Sequence, residues 1–180
     1  MSGWVTLQVF IEGFYLGAGQ MQASIDPVSF PNLCDTIIVE LHNVNSPYST
    51  AFSSKNILST SGIGNFYFPN TAAGNYYLVI RHRNGIESWS AVPVNISEGT
   101  NYNFTNAQNK AYGNNQSNLG DGNFAILSGD ISEPTLGIGY QDGIIESQDY
   151  SDMENAVSIT LQGYMPQDIT GDGIVESYLK

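Results

Sequence analysis

Two short stretches hold most of the acid chemistry of this 180-residue chain. Asp142-Gly143-Ile144-Ile145-Glu146-Ser147 and Asp172-Gly173-Ile174-Val175-Glu176-Ser177 place an acid, a glycine, two β-branched residues and a second acid at the same spacing. Carboxylates are hard oxygen ligands, the glycine allows the sharp bend that turns them inward, and the apolar pair can tie one loop to another. Calcium binding is the chemistry that uses this arrangement. A loop of the EF-hand kind takes oxygen ligands from positions 1, 3, 5, 9 and 12, with glycine at 6. Counted that way, the second copy offers Asp168, Thr170, Asp172 and Glu176, but its last position falls on Leu179, which has no side-chain oxygen. The first copy offers Asp142, Glu146 and Asp149, but its first position falls on Ile138. Asp130 is the nearest upstream aspartate, and it becomes a ligand only if the residues between it and Asp142 loop out. The plain alternative is a set of acidic turns on a solvated surface. Two matched copies with flanking acids favour at least one bound Ca2+, with one good site and one weak site rather than two full ones.

Charge points the same way. The chain holds 17 acids and 5 bases, a net −12. Ten of the acids and only Lys180 among the bases lie in residues 129–180, so that segment repels itself unless cations neutralise it. With no basic patch, nucleic acid is disfavoured as a partner. No run of apolar residues is long enough for a membrane span. Cys34 has no second cysteine to pair with and precedes an apolar run, so it reads as a small buried hydrophobe. No signal peptide is legible after Met1, so a secreted protein would be represented here by a processed or excised piece.

The elements that must position these loops read as strands. Hydrophobic residues make up 41% of the chain and charged residues 12%, with 19 glycines, which favours a packed, turn-rich, mainly β design. Residues 4–11 alternate, with Val5, Leu7, Val9 and Ile11 on one face and Thr6, Gln8 and Phe10 on the other. Further strands are expected at 36–41, 50–58, 65–68, 75–83, 86–96 and 101–105, with turns at 42–47 and 69–74 and a hairpin at Asn84-Gly85. About seven strands with polar turns imply an antiparallel Greek-key (Ig-like) sandwich over 1–123. Residues 106–123 read as a loop or linker, and 124–180 as a small calcium-binding module. A helix is expected from about Ser147 to Ile159, capped by Ser147, with Tyr150, Met153 and Val157 on one face.

Other motifs carry less. Arg81, His82, Arg83 and Trp89 flank the hairpin and could hold a sugar ring, although a cross-strand Arg–Trp stack is the simpler reading. Neither histidine has a metal-spaced partner, and no nucleophile elbow or phosphate loop is present. Three Asn-X-Ser/Thr triplets and Asp35-Thr36-Ile37 resemble glycosylation motifs of low specificity.

The stretches 142–150 and 168–176 resemble the dockerin calcium repeat. Residues 9–15, 39–43 and 81–90 are similar to a module at the C-termini of secreted proteins of Bacteroidetes-type bacteria. The resemblance covers nearly the whole chain. It implies a β-sandwich followed by two dockerin-like repeats, secretion or surface display, calcium, and no catalytic activity. The long insertion after Asp130 and the missing acid at Leu179 depart from that pattern.

The expected function is therefore a non-enzymatic extracellular structural protein, a calcium-stabilised subunit of a pilus-like filament or an adhesion module. It would self-associate head to tail into a homopolymer by exchange of its first strand. The alternative is a C-terminal accessory module of a larger secreted enzyme that binds glycans or a cell surface.

Overall fold

A computed structural model describes residues 3–68, 73–131 and 141–176. The expectations for residues 69–72, Ile138, Ser177 and Leu179 fall outside the described residues.

The strands are β1 (Gly3–Gln8), β2 (Tyr15–Gly17), β3 (Gln20–Met21), β4 (Leu33–Asn43), β5 (Thr50–Ser59), β6 (Ile63–Phe68), β7 (Gly74–His82), β8 (Gly85–Trp89), β9 (Val94–Ile96), β10 (Thr100–Asn103), β11 (Ser117–Asn118) and β12 (Phe124–Ala125), followed by helix α1 (Ser147–Ser158). One sheet has the order β10-β1-β6 and the other β5-β4-β7-β8, with β9 paired to the start of β7. Their inner faces interdigitate: Val5 and Leu7 of β1 and Phe66 and Phe68 of β6 meet Ile37, Val39 and Leu41 of β4 and Leu78 and Ile80 of β7, all fully buried. Period-2 burial of β-branched and aromatic residues is what makes these segments strands rather than helices. The mainly β sandwich is thus as expected.

Several details differ. β10 runs parallel to β1 (Val5 opposite Thr100), so the sandwich is not wholly antiparallel. Parallel neighbours need a long return path, and the whole second sheet provides it. β1 is also hydrogen-bonded to β6, so its two edges are both occupied within its own chain. In this single chain β1 thus offers no open edge of its own. Phe10 is buried rather than outward, because the chain leaves the ladder after Gln8 and turns into a 3-10 turn at Glu12–Phe14. The hairpin turns at Arg83-Asn84, one residue early, with Gly85 already in β8 opposite His82. The return strand breaks after Trp89 and resumes at Val94, just past Pro93, which has no N–H to give a ladder.

Residues 106–123, expected as a loop or linker, are a loop tied to the sandwich. The Gln116 amide donates to Phe104 O at 2.8 Å, the Phe124 N–H to Thr105 O at 2.9 Å and the Ile126 N–H to Phe10 O at 2.9 Å. Ala125 and Ile126 are fully buried in the sandwich core, so the sandwich continues past residue 123.

The acidic loops and the polar clamp beneath them

Helix α1 forms where its apolar residues recur, but with corrections. The residue at its N-cap is Glu146, not Ser147, and Asp149 accepts the Glu146 backbone N–H at 2.9 Å. That carboxylate, in the first turn, also suits the positive end of the helix dipole. The buried face is Met153 and Ala156, while Tyr150 points to solvent.

The two acidic loops are built alike. In the second, Asp168 Oδ2 accepts the Gly173 N–H at 2.9 Å, and Asp172 Oδ1 accepts the Ile174 N–H at 3.0 Å. In the first, Asp130 Oδ2 accepts the Gly143 N–H at 3.1 Å, and Asp142 Oδ1 accepts the Ile144 N–H at 2.9 Å. Gly143 and Gly173 have φ of 85° and 84°, a left-handed conformation that disfavours other residues. Asp130 therefore stands to the first loop as Asp168 stands to the second, although it lies 13 residues before Gly143.

Asp130, Asp142, Glu146 and Asp149 line one pocket together with Asp152. Asp149 Oδ1 accepts the Ile131 N–H at 2.8 Å, which draws the two stretches together. Asp130 is 1% exposed, and burial, with Asp149 and Asp142 beside it, pushes its carboxyl up to about 7. In the second loop, Asp168 Oδ1 accepts from the Gly171 N–H at 2.8 Å and from Thr170 Oγ1 at 3.3 Å. Burial also raises the Asp168 carboxyl, against the opposing pull of the Gly173 N–H and Arg83. Glu176 Oε2 is buried with no hydrogen-bond partner. Bent loops, raised carboxyls and an unsatisfied carboxylate oxygen fit a hard cation. Among the described residues, no three His, Cys, Asp or Glu side chains converge closely enough to hold an ion by themselves. Thr170, main-chain carbonyls or water would have to complete the shell.

The apolar pairs do not join loop to loop. Ile174 bridges to Gln162, and the Gly163 N–H donates to Gly173 O at 2.8 Å. Val175 and Ile169 instead pack with Met153 and Ala156 of α1, and Ile144 and Ile145 are exposed.

A buried polar clamp fastens the second loop to the sandwich, and nothing in the motif reading anticipated it. Asp35 of β4 is fully buried, and its Oδ2 accepts Arg83 Nε at 2.9 Å and His82 Nε2 at 3.2 Å. The Tyr164 hydroxyl donates to the other oxygen of Asp35. Burial alone would raise the Asp35 carboxyl, but His82 and Arg83 outweigh it and hold it well below the usual range. Arg83 also donates Nη1 to Asp168 O at 3.2 Å, and Asn84 Nδ2 donates to the same oxygen at 2.9 Å. The guanidinium lies between Phe14 and Tyr164, at 5.3 and 4.5 Å from the ring centroids. Gly13 and Gly171 admit the close approach: a Cβ on Gly13 would collide with Ile169 O, and one on Gly171 would lie 2.7 Å from the Phe14 ring.

The expected Arg–Trp stack is replaced by this arrangement. Arg81 pairs with Glu40 at 3.1 Å and with Glu87, while Trp89 meets His42 edge-on at 4.6 Å.

No known family model matches the chain, and no curated protein matches it. Among solved structures, it is similar to a chain of a type II cohesin–X-dockerin complex from Acetivibrio cellulolyticus, a C-terminal interface mutant. That match has a TM-score of 0.52 and 16% identity, and covers 96% of this chain and 87% of that one. An N-terminal interface mutant of the same complex aligns at TM-score 0.47 and 16% identity, over 97% and 85% of the two chains. At this identity the first match is a likeness of fold, and it agrees with the β-sandwich architecture.

Proposed function

We propose that this chain is a non-enzymatic extracellular adhesion or scaffold module whose acidic C-terminal segment is stabilised by calcium and resembles dockerin repeats. The observation that carries the reading is the repeated hydrogen bond from a left-handed glycine to a buried aspartate, Gly143 to Asp130 and Gly173 to Asp168. Asp130, Asp142, Glu146 and Asp149, completed by main-chain carbonyls or water, would hold one ion, and Asp168, Thr170, Asp172 and Glu176, likewise completed, a second. A bound cation supplies positive charge that offsets carboxylate repulsion and so favours the folded segment. The chain's own contribution is to fix the loops: α1 presents Asp149, and the Arg83–Asn84 turn anchors Asp168.

Likeness to a chain of a cohesin–X-dockerin complex supports a protein as the partner, either a complementary module or another copy of this chain. Strand exchange through β1 is not part of this reading.

Calorimetric titration with calcium tests the metal, and light scattering in calcium and then in chelator tests assembly. Saturable calcium uptake, weakened by Asp142→Asn, is the expected result. Particles that grow only in calcium would identify a homopolymer, and a 19.5 kDa monomer in both conditions would point to a different protein as partner. Absence of calcium uptake at millimolar concentration would overturn the metal assignment.

A further inference from the structure

The outer face of the second sheet carries an aromatic pocket that the calcium loops do not use. Four side chains line it: Tyr48 from the turn between β4 and β5, Tyr77 of β7, Trp89 at the end of β8 and Tyr112. The ladder places the inner members. Tyr77 lies opposite His42 and Val79 opposite Trp89, so Tyr77 and Trp89 point to the same side of the sheet as Val79, which is fully buried yet stands outside the sandwich core. Tyr112 is brought alongside by the bridge between Ser90 and Ala111. Tyr48 is held at φ 55°, where its carbonyl lies 2.8 Å from His42 Nδ1. A tyrosine in the left-handed region marks a position where the surroundings override backbone preference.

The rings are fixed against one another. Tyr48 meets Tyr77 at 6.1 Å and 79° and Trp89 at 6.4 Å and 87°, and Tyr77 meets Trp89 at 5.9 Å and 57°. Steep interplanar angles mean that these three rings do not stack face to face on one another. Tyr48 and Tyr112 are 45% and 67% exposed. We propose that this pocket binds a pyranose ring of a neutral saccharide by stacking.

Three observations choose that occupant. The pocket encloses about 350 Å³ and is walled by four side chains, the scale of a small-ligand site rather than of the 20–30 residues a side that a stable protein interface uses. The Trp89 indole N–H is already donated to Glu87, so it cannot greet the carbonyl of a proline-rich peptide. Arg81, which is bound by both Glu40 and Glu87, is not free to take an anion, and the choline probe below separates a sugar from a quaternary ammonium. Ring faces suit the C–H face of a sugar, and tyrosine hydroxyls can meet its hydroxyl groups.

The test titrates the whole chain with cellohexaose, xylohexaose and mannohexaose, following the Trp89 indole N–H and the aromatic signals by NMR. Choline chloride and a proline-rich decapeptide serve as competing probes. At least one hexasaccharide should shift the Trp89 signal saturably, and Tyr112→Ala, in an exposed turn where folding is undisturbed, should weaken binding about tenfold. Repeating the titration with the corresponding polysaccharides tells an internal chain segment, bound in both forms, from a chain end, bound only as the oligomer. The proposal is overturned by any of three results: no saccharide binds at about 10 mM, Tyr112→Ala binds as well as wild type, or only choline or the peptide binds.

Discussion

Asp130→Asn should stabilise the calcium-free protein and weaken the calcium-bound one. The buried Asp130 carboxyl is pushed up to about 7, against roughly 3.9 in an unfolded chain. Three units at about 1.36 kcal/mol each set an upper limit of about 4 kcal/mol by which its charge opposes folding above pH 7. Local opening of the loop relieves part of that, so about 2 kcal/mol is the expected gain at pH 8 in chelator. Asparagine keeps an oxygen for the Gly143 N–H, so the turn itself survives. The pH dependence has a fixed sign. Between pH 4 and 7 the folded form binds more protons than the unfolded one, so the metal-free segment gains stability as pH falls from 8 to 5. Asp168, also raised, works in the same direction. With calcium present the sign of the substitution reverses, because a charged ligand is lost, and apparent affinity should fall more than tenfold. Hydrogen exchange at Ile131, Gly143 and α1, in calcium and in chelator at pH 5 and 8, reads all of this. A flat pH profile in chelator, or a destabilised Asp130→Asn in chelator, would refute the reasoning.

Other perturbations separate the clamp from the loops. Gly13→Ala forces a methyl group against Ile169 O and should cost about 3 kcal/mol, with exchange protection lost over 164–175 while the sandwich core keeps its own. Asp35, held below the usual carboxylate range by His82 and Arg83, contributes stability that is present above about pH 4 and lost as pH falls further, so near-ultraviolet dichroism should collapse in acid. Burial drives the Cys34 thiol strongly upward, and a thiol-reactive disulfide reagent should label it only after denaturant is added.

The sandwich was legible because its core residues alternate: β5, β6 and β7 sit within two residues of where the pattern put them, β4 extends past its expected 36–41 at both ends, and α1 matched within a residue at each end. The matched Asp142-Gly143 and Asp172-Gly173 pairs likewise mark two bends of the same build. What sequence spacing does not encode is pairing at long range. Arg83 and Asn84 read as the open tip of a hairpin, yet they are buried against Asp168, 85 and 84 residues later. Tyr48, Tyr77, Trp89 and Tyr112 share no motif, and only the ladder register and one bridge gather them. The parallel β1–β10 pair is invisible for the same reason, since a strand carries no mark of its neighbour's direction.

That pair also bears on how the protein emerges from the ribosome. β1 is made first, but its partners are Phe66 on one side and Thr100 on the other. At roughly 5–20 residues per second, the nascent strand waits on the order of ten seconds for its second neighbour. During that wait β4, β5, β6 and β7 can already pair, while the β10-facing edge of β1 stays open. The first sheet is thus closed only when β10 arrives, and one edge of its earliest strand is the last part of that sheet to be sheltered.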